Sequence, residues 1–225
     1  MEFTTMGGLM VWGTLVGLDL ATLAQVMIAR PIVAGVVAGW IVGDAQSGLI
    51  VGAILELFAM EVLPFGAARY PDYGLGAVAA AATAAGAPDV FGIGIAVAVG
   101  LVIAYVGEMS IQFVRQRNTV DIQRHRDVID SGDVRVIYRL YRRGVLRDFG
   151  RAASLTAGGL ILAVVVRATI PGTLTLRGAV VLSAVAIGIG LGTTFVSGVR
   201  VTRDARHGWI WLVSGLIAGT VWAVR

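Results

Sequence analysis

The chain has 225 residues, of which 57% are hydrophobic and only 14% are charged, and its formal net charge at pH 7 is +4. Soluble domains carry roughly 25% charged residues, so this composition excludes a soluble enzyme and also a disordered protein. The mean hydropathy of +0.83 predicts instead a protein that folds within the lipid bilayer.

The first apolar stretch covers residues 3–29 and contains a single formal charge, Asp19. We expect this stretch to remain in the mature protein. Residues 1–5 contain neither the basic region nor the small-residue cleavage site that a signal peptide requires.

Two shorter apolar stretches follow, residues 31–43 and 49–66, with a polar patch at residues 44–48 between them. A straight membrane span needs about 20 residues, and the stretch 31–43 is shorter than that. Short stretches broken by glycine and proline predict re-entrant or discontinuous helices. Such backbone is tolerated at membrane depth only where protein or a watery cavity covers it, and in transporters it often lines the substrate site.

Small residues dominate this half of the chain. Residues 73–88 are rich in alanine, and a further apolar stretch follows at 90–107. Glycines four residues apart favour close packing of helices, and such pairs occur at positions 35 and 39 and at positions 48 and 52.

Residues 115–151 form a polar interval with ten arginines and five aspartates, a net charge of +5. Because positive residues collect on the cytoplasmic side of membranes, we place this interval inside the cell. Apolar residues recur there at steps of three and four, which predicts an amphipathic helix, and residues 131–133 separate it from an earlier, weaker helix. The recurring apolar positions are Ile137, Leu140, Tyr141, Val145 and Phe149.

Two roles remain open for this predicted helical hairpin. It can lie at the membrane surface with its arginines near anionic lipid headgroups, and it can form a docking surface for a soluble partner. Nucleic-acid binding is disfavoured, because aspartates are interspersed with the arginines and no stacking aromatic residues alternate with them.

Three further apolar stretches, residues 152–166, 178–199 and 208–224, complete the chain. The loop 200–207 has a net charge of +2 and is predicted to be cytoplasmic, in agreement with residues 115–151. The sequence therefore predicts an all-α, multi-span membrane bundle in three parts. Residues 1–114 form a membrane region with re-entrant segments, residues 115–151 an arginine-rich cytoplasmic hairpin, and residues 152–225 the last membrane helices.

Charged side chains inside membrane segments are rare, because each costs about 2.5–3.5 kcal/mol on insertion scales. Asp19, Arg30, Glu56 and Asp72 are such residues. Arg30 is expected to pair with a carboxylate, either Asp19 or Glu56. Carboxylates and amides suit sugar hydroxyls because they accept and donate hydrogen bonds in a fixed geometry, and Gln25 adds an amide to this set.

The sequence offers no site for catalysis. Its two distant histidines, without any cysteine, do not build a typical transition-metal site, and no pairing of a nucleophile with a base is visible. We therefore expect neither an enzyme nor a bound metal or cofactor.

Several motifs within residues 17–78 follow one another in the order and spacing of a known family. They are Asp19, Gln25, Arg30-Pro31, Gly43-Asp44, the run Gly-Ala-Ile-Leu-Glu-Leu at 52–57, and Gly66-Ala67-Ala68 followed by Pro71-Asp72. In these motifs the chain resembles the IIC membrane subunit of mannose/fructose/sorbose-type sugar phosphotransferase systems. Asp148-Phe149 with Arg151 is similar to the cytoplasmic segment of that family.

The resemblance implies a helical fold with re-entrant hairpins and an elevator-like transport unit in the bacterial cytoplasmic membrane. It implies an oligomer that works with a IID membrane subunit and carries a hexose inward, where a soluble IIAB protein phosphorylates it. By position in the motifs, Asp19, Gln25, Glu56 and Asp72 are expected near the sugar, with Arg30 as their positioning partner.

The alternative is a membrane interaction or regulatory protein that retains this fold and has lost transport. Three positions at which the chain departs from the family pattern motivate it: Leu20, Glu61 and Arg69.

Overall fold

The structure is a computed structural model that describes residues 2–23, 25–60, 70–85 and 90–169. Every regular element in these four stretches is a helix, which confirms the predicted helical bundle for this part of the chain. The elements are α1 (Phe3–Asp19), α2 (Pro31–Val42), α3 (Ala45–Ala59), α4 (Tyr73–Ala84), α5 (Val90–Arg124), α6 (Arg126–Asp130) and α7 (Val134–Thr169). The predicted apolar stretches at 178–199 and 208–224 and the basic loop at 200–207 lie outside the described residues.

Helices α2 and α3 form a hairpin of two short helices, of 12 and 15 residues. Gly43 ends α2 with a φ of +83°, a conformation that glycine adopts without a steric penalty. Asp44 then caps α3 by accepting a hydrogen bond from the backbone N–H of Ser47 at 3.1 Å. Most of the polar patch at 44–48 is therefore the first turn of α3, and the connection itself is only two residues long.

Four glycines bring the backbones of α2 and α3 into contact. A Cβ atom added to Gly35 would lie 2.6 Å from the carbonyl oxygen of Gly48, and one added to Gly52 would lie 2.7 Å from that of Pro31. A Cβ on Gly39 would meet the Cα of Gly48 at 2.8 Å. The close packing expected from the glycine spacing is thus confirmed for this hairpin.

Helix α4 is the centre of the described fold. All of its residues are buried, and it packs against α1, α2, α3, α5 and α7. Alanine and glycine make this possible, because neighbouring helices can approach a helix of small residues from every side. A Cβ atom added to Gly76, for example, would lie 2.5 Å from the carbonyl oxygen of Gly100 in α5.

Helices α5 and α7 contain 35 and 36 residues, and both have stretches long and apolar enough to cross a membrane. At about 1.5 Å per residue each is about 50 Å long, whereas the hydrocarbon core of a bilayer is about 30 Å thick. The basic interval 115–151 therefore consists largely of continuations of these two helices.

The predicted break at residues 131–133 is confirmed. Helix α6 ends at Asp130, Gly132 has a φ of +78°, and α7 begins at Val134. Residues 114 and 151, where the composition changes, lie within α5 and α7, because the change from apolar to charged side chains does not interrupt helical hydrogen bonding.

Replacement of Gly35 by alanine tests the contact between α2 and α3. The added methyl group would overlap the backbone of α3. We therefore expect the free energy of unfolding to fall by about 1–3 kcal/mol, which lowers the midpoint of thermal unfolding in detergent. Gly158→Ala is the matched control, since a Cβ at that position in α7 meets nothing within 4 Å. An unchanged midpoint for Gly35→Ala would contradict backbone contact between the two helices.

Candidate functional site

Asp19, the last residue of α1, shapes the segment that leads to α2. It is 2% exposed, and its carboxylate oxygens accept hydrogen bonds from the backbone N–H groups of Val26 at 2.8 Å and Ala29 at 3.2 Å. Gln25 and Met27 in this segment have positive φ angles of 52° and 68°. Such backbone costs about 1–3 kcal/mol per residue and concentrates at functional sites, so the two bonds to Asp19 hold a strained segment in place.

Arg30, immediately before α2, forms an ion pair with Glu56 of α3. The distance between Arg30 Nη2 and Glu56 Oε1 is 2.6 Å, and the side chains are 56% and 12% exposed. The second carboxylate oxygen of Glu56 accepts a hydrogen bond from the backbone N–H of Ile32 at 3.2 Å. Glu56 thus holds one side of the guanidinium, while the exposed side can donate to a ligand. Of the two partners expected for Arg30, the structure shows Glu56 and not Asp19.

A buried network of charges connects α4 to α7. Asp72 is fully buried, caps α4 by accepting from the N–H of Leu75 at 3.2 Å, and pairs with Arg151 of α7 at 3.0 Å. Arg151 also pairs with Asp148 at 2.6 Å and donates to the carbonyl oxygen of Gly17 in α1 at 2.6 Å. Each buried ion loses several kcal/mol of hydration, and this set of contacts compensates that loss.

A cavity of about 1060 Å³ lies between these elements. The segment joining α1 to α2 and the start of α4 form one end of it, and the facing surfaces of α5 and α7 form the rest. Ligand pockets usually measure about 300–1,000 Å³, so a small polar solute fits here together with water.

The wall of the cavity changes in character from one end to the other. Asp19, Gln25, Arg30 and Asp148 line the end near α1. Farther along the groove between α5 and α7, Arg147 pairs with Asp121 at 2.6 Å and donates to the side-chain oxygen of Asn118 at 3.0 Å. Beyond these groups the lining is largely apolar, with Ile122, Ile129, Ile137 and Leu140.

The polar end of the cavity has the chemistry to bind hydroxyl groups. A carboxylate offers about four acceptor positions, of which Asp19 uses two for the backbone, so acceptor capacity remains for a ligand. The Gln25 amide both donates and accepts, and the exposed side of the Arg30 guanidinium donates. These groups together can surround a polyhydroxylated solute in a fixed orientation.

The five residues predicted for the site fall into two groups. Asp19, Gln25 and Arg30 line the cavity. Glu56 lies behind Arg30, and Asp72 lies behind the wall against Arg151; neither belongs to the described lining. In the part of the chain that the structure describes, no three histidine, aspartate or glutamate side chains come together as a metal site.

The sequence interpretation did not identify Thr22, Tyr70 and Asp148 as residues of the cavity wall. It also missed Arg151, the buried partner of Asp148. Asp148 and Arg151 were placed in a cytoplasmic segment because of the net positive charge of residues 115–151. Their spacing of three residues was the available signal, since it places a carboxylate and a guanidinium on the same face of one helix. Glu61 and Arg69, which motivated the alternative interpretation, lie outside the described residues.

The fold and cavity define a helical membrane protein with a cavity that has a polar end beside short helices. Residues 4–168 match the family described as the sorbose-specific IIC component of the phosphotransferase system. The chain belongs to this family, as its motifs predicted, and is an integral protein of the bacterial cytoplasmic membrane.

Curated relatives agree with this assignment. The chain is 34% identical over 108 residues to the fructose permease IIC component of Bacillus subtilis, an alignment that covers 48% of this chain and 39% of that protein. It is 30% identical over 140 residues to the mannose-specific EIIC component of Escherichia coli K12, covering 61% and 51%. The matched region thus spans about half or less of each relative's own length.

Solved structures show the same fold. A chain described as a membrane protein aligns with a TM-score of 0.66 at 18% identity, covering all of this chain and 95% of that one. The mannose transporter ManYZ, in its complex with microcin E492, contains a chain that aligns with a TM-score of 0.59 at 20% identity, covering 100% and 94%.

Replacement of Asp72 by alanine tests the buried network. We expect a loss of about 3–5 kcal/mol in stability, because Arg151 would stay buried with an uncompensated part of its charge. Asp44→Ala removes another capping aspartate, at the start of α3, and is expected to cost about 0.5–2 kcal/mol. Thermal unfolding in detergent compares the two variants, and equal midpoints would contradict the special role of Asp72.

Proposed function

We propose that the chain is the sugar-translocating IIC subunit of a phosphotransferase system and carries a hexose inward for phosphorylation by a separate IIAB protein. The observation that supports this most directly is the polar end of the cavity, where the carboxylate of Asp19 lines the wall together with the amide of Gln25 and the guanidinium of Arg30. Membership of a sugar-transport family supports a sugar as the solute.

In this proposal the predicted site residues have different tasks. Asp19, Gln25 and Arg30 bind the sugar hydroxyls. Glu56 orients Arg30 through their ion pair, and Asp72 acts at a distance through Arg151. Which hexose is carried depends on the positions of the hydroxyl groups that these side chains contact.

We further propose that transport is elevator-like, with the α2–α3 hairpin moving as one body. Backbone contact through glycine supports this, because helices packed without intervening side chains have little freedom to slide separately. The Arg30–Glu56 pair adds a link between the two helices on the side of the cavity.

The proposed assembly contains a IID-like membrane subunit, further copies of this chain and a soluble IIAB protein. Large apolar side chains exposed on the membrane helices, among them Val11, Trp40, Met109 and Ile161, are available to contact lipid or such membrane partners. Residues 115–151 would face the cytoplasm, where their arginines can contact anionic lipids or the soluble protein.

Gln25→Ala tests the proposed binding wall. Loss of one hydrogen-bonding group is expected to raise the KM for hexose uptake about 5- to 150-fold, the range given by a lost contact of about 1–3 kcal/mol. Gln46→Ala is the matched control, because Gln46 is exposed at the start of α3 and does not line the cavity. Uptake of labelled hexoses by cells producing the complete complex is measured, and an equal KM for both variants would count against the site.

Glu56→Gln tests the positioning of Arg30. The variant keeps the shape of the side chain and removes its charge, so the guanidinium loses its ion pair. We expect hexose uptake to be abolished while the complex still assembles, as shown by co-purification. Uptake equal to that of the parent would argue for the transport-inactive alternative or for a site elsewhere.

Mass spectrometry of the complex, extracted gently from native membranes, tests the proposed assembly. We expect a second membrane subunit to co-purify with the chain. A chain recovered only with copies of itself would contradict the IID-like partner.

A further inference from the structure

Arg151 lies behind the cavity wall and joins the elements that surround it. Its three nitrogen groups have three different acceptors: Nε donates to Asp148, Nη1 to Asp72 at the start of α4, and Nη2 to the carbonyl oxygen of Gly17 near the end of α1. Its side chain is 3% exposed and is not part of the described cavity lining. One buried side chain therefore fixes the relative positions of α1, α4 and α7.

Asp148 transmits this position to the cavity wall. One carboxylate oxygen of Asp148 accepts from Arg151, and the other accepts a hydrogen bond from the hydroxyl of Thr22. Both Asp148 and Thr22 line the cavity. Thr22 belongs to the same strained segment as Gln25, so the chain of contacts runs from Arg151 through Asp148 to the residues of the proposed binding wall.

We propose that Arg151 is a positioning residue for the cavity-lining residues 20–23 and 25–30: it orients Asp148, which tethers Thr22 and so, together with the bonds to Asp19, holds this segment in its strained conformation. The expected effect on sugar binding rests on the proposed function, whereas the chain of contacts from Arg151 through Asp148 to Thr22 does not. Arg147 is a nearby guanidinium that lines the same cavity, but it donates to Asp121 and Asn118, which belong to α5 and not to the segment.

The geometry explains why arginine is required at this position. A guanidinium has five N–H donors in a rigid plane and can donate hydrogen bonds to several acceptors at once. The lysine ammonium is a compact group on a flexible stem. Arg151→Lys would keep the charge and lose simultaneous contact with Asp148, Asp72 and Gly17. Once Asp148 is no longer fixed, the segment is expected to open locally, because it loses the tether at Thr22 and its backbone is strained.

A single introduced thiol can measure this opening, since the chain contains no cysteine. Ala29 is half-buried and lines the cavity, so Ala29→Cys adds a thiol within the segment at small steric cost. The rate of maleimide labelling is measured on the purified complex. We expect Thr22→Val and Arg151→Lys each to raise this rate about threefold or more, because local opening exposes the thiol.

Arg167→Lys is the matched control. Arg167 is also on α7 and also donates to a carbonyl oxygen of a neighbouring helix, that of Ala82 at 3.2 Å, but it does not line the cavity. Its replacement is expected to leave the labelling of Ala29→Cys unchanged. Thr22→Val leaves all three ion-paired side chains intact, so it tests the tether even where Arg151→Lys does not yield folded protein.

Hexose uptake separates the two proposals. If the segment binds sugar, Thr22→Val is expected to raise the KM about threefold or more while Arg167→Lys leaves it unchanged, because the tether positions the binding groups and the Arg167 contact does not. Parental labelling rates in folded Thr22→Val protein would overturn the positioning role, whatever the uptake. Faster labelling in a chain that shows no hexose uptake would support the tether and overturn the proposed function.

Discussion

The compensation of buried charge is the constraint on which this structure depends. Asp72 and Arg151 are almost entirely removed from solvent, and each would be costly to bury alone. Their mutual pairing, with Asp148 and a carbonyl of α1 as additional partners, is satisfied only when α1, α4 and α7 meet at one point. The network therefore specifies an arrangement of helices that apolar packing alone would leave less well defined.

Small side chains allow the helices to come close enough for that network and for the cavity beside it. Glycine contacts draw α2 against α3, and the alanine-rich α4 is enclosed by five neighbours. Two helices that are too short to span a bilayer in a straight path thereby pack against each other and against α4. The segment before α2 is left at the end of a polar cavity, where its strained backbone presents Gln25 and Arg30.

Much of the fold could be predicted from the sequence, and the features that could not be predicted have physical reasons. Composition predicted a helical membrane protein, glycine spacing predicted the α2–α3 contact, and the ordered motifs predicted the family. Net charge was a poor guide to where helices end, because α5 and α7 continue from apolar into charged sequence without a break. Net charge also gave no indication of the buried role of Arg151, two of whose partners lie 79 and 134 positions away in the chain.

The sequence by itself determined that the protein folds in a lipid bilayer, that it is helical, and that its apolar first half contains the polar residues Asp19, Gln25 and Arg30. These properties follow from local composition and spacing. Only the tertiary structure decided which carboxylate each arginine uses: Glu56 for Arg30, and Asp72 with Asp148 for Arg151. Charges of opposite sign can pair in many combinations along a chain. The packing of helices selects one combination, since it alone determines which of them meet within hydrogen-bond distance.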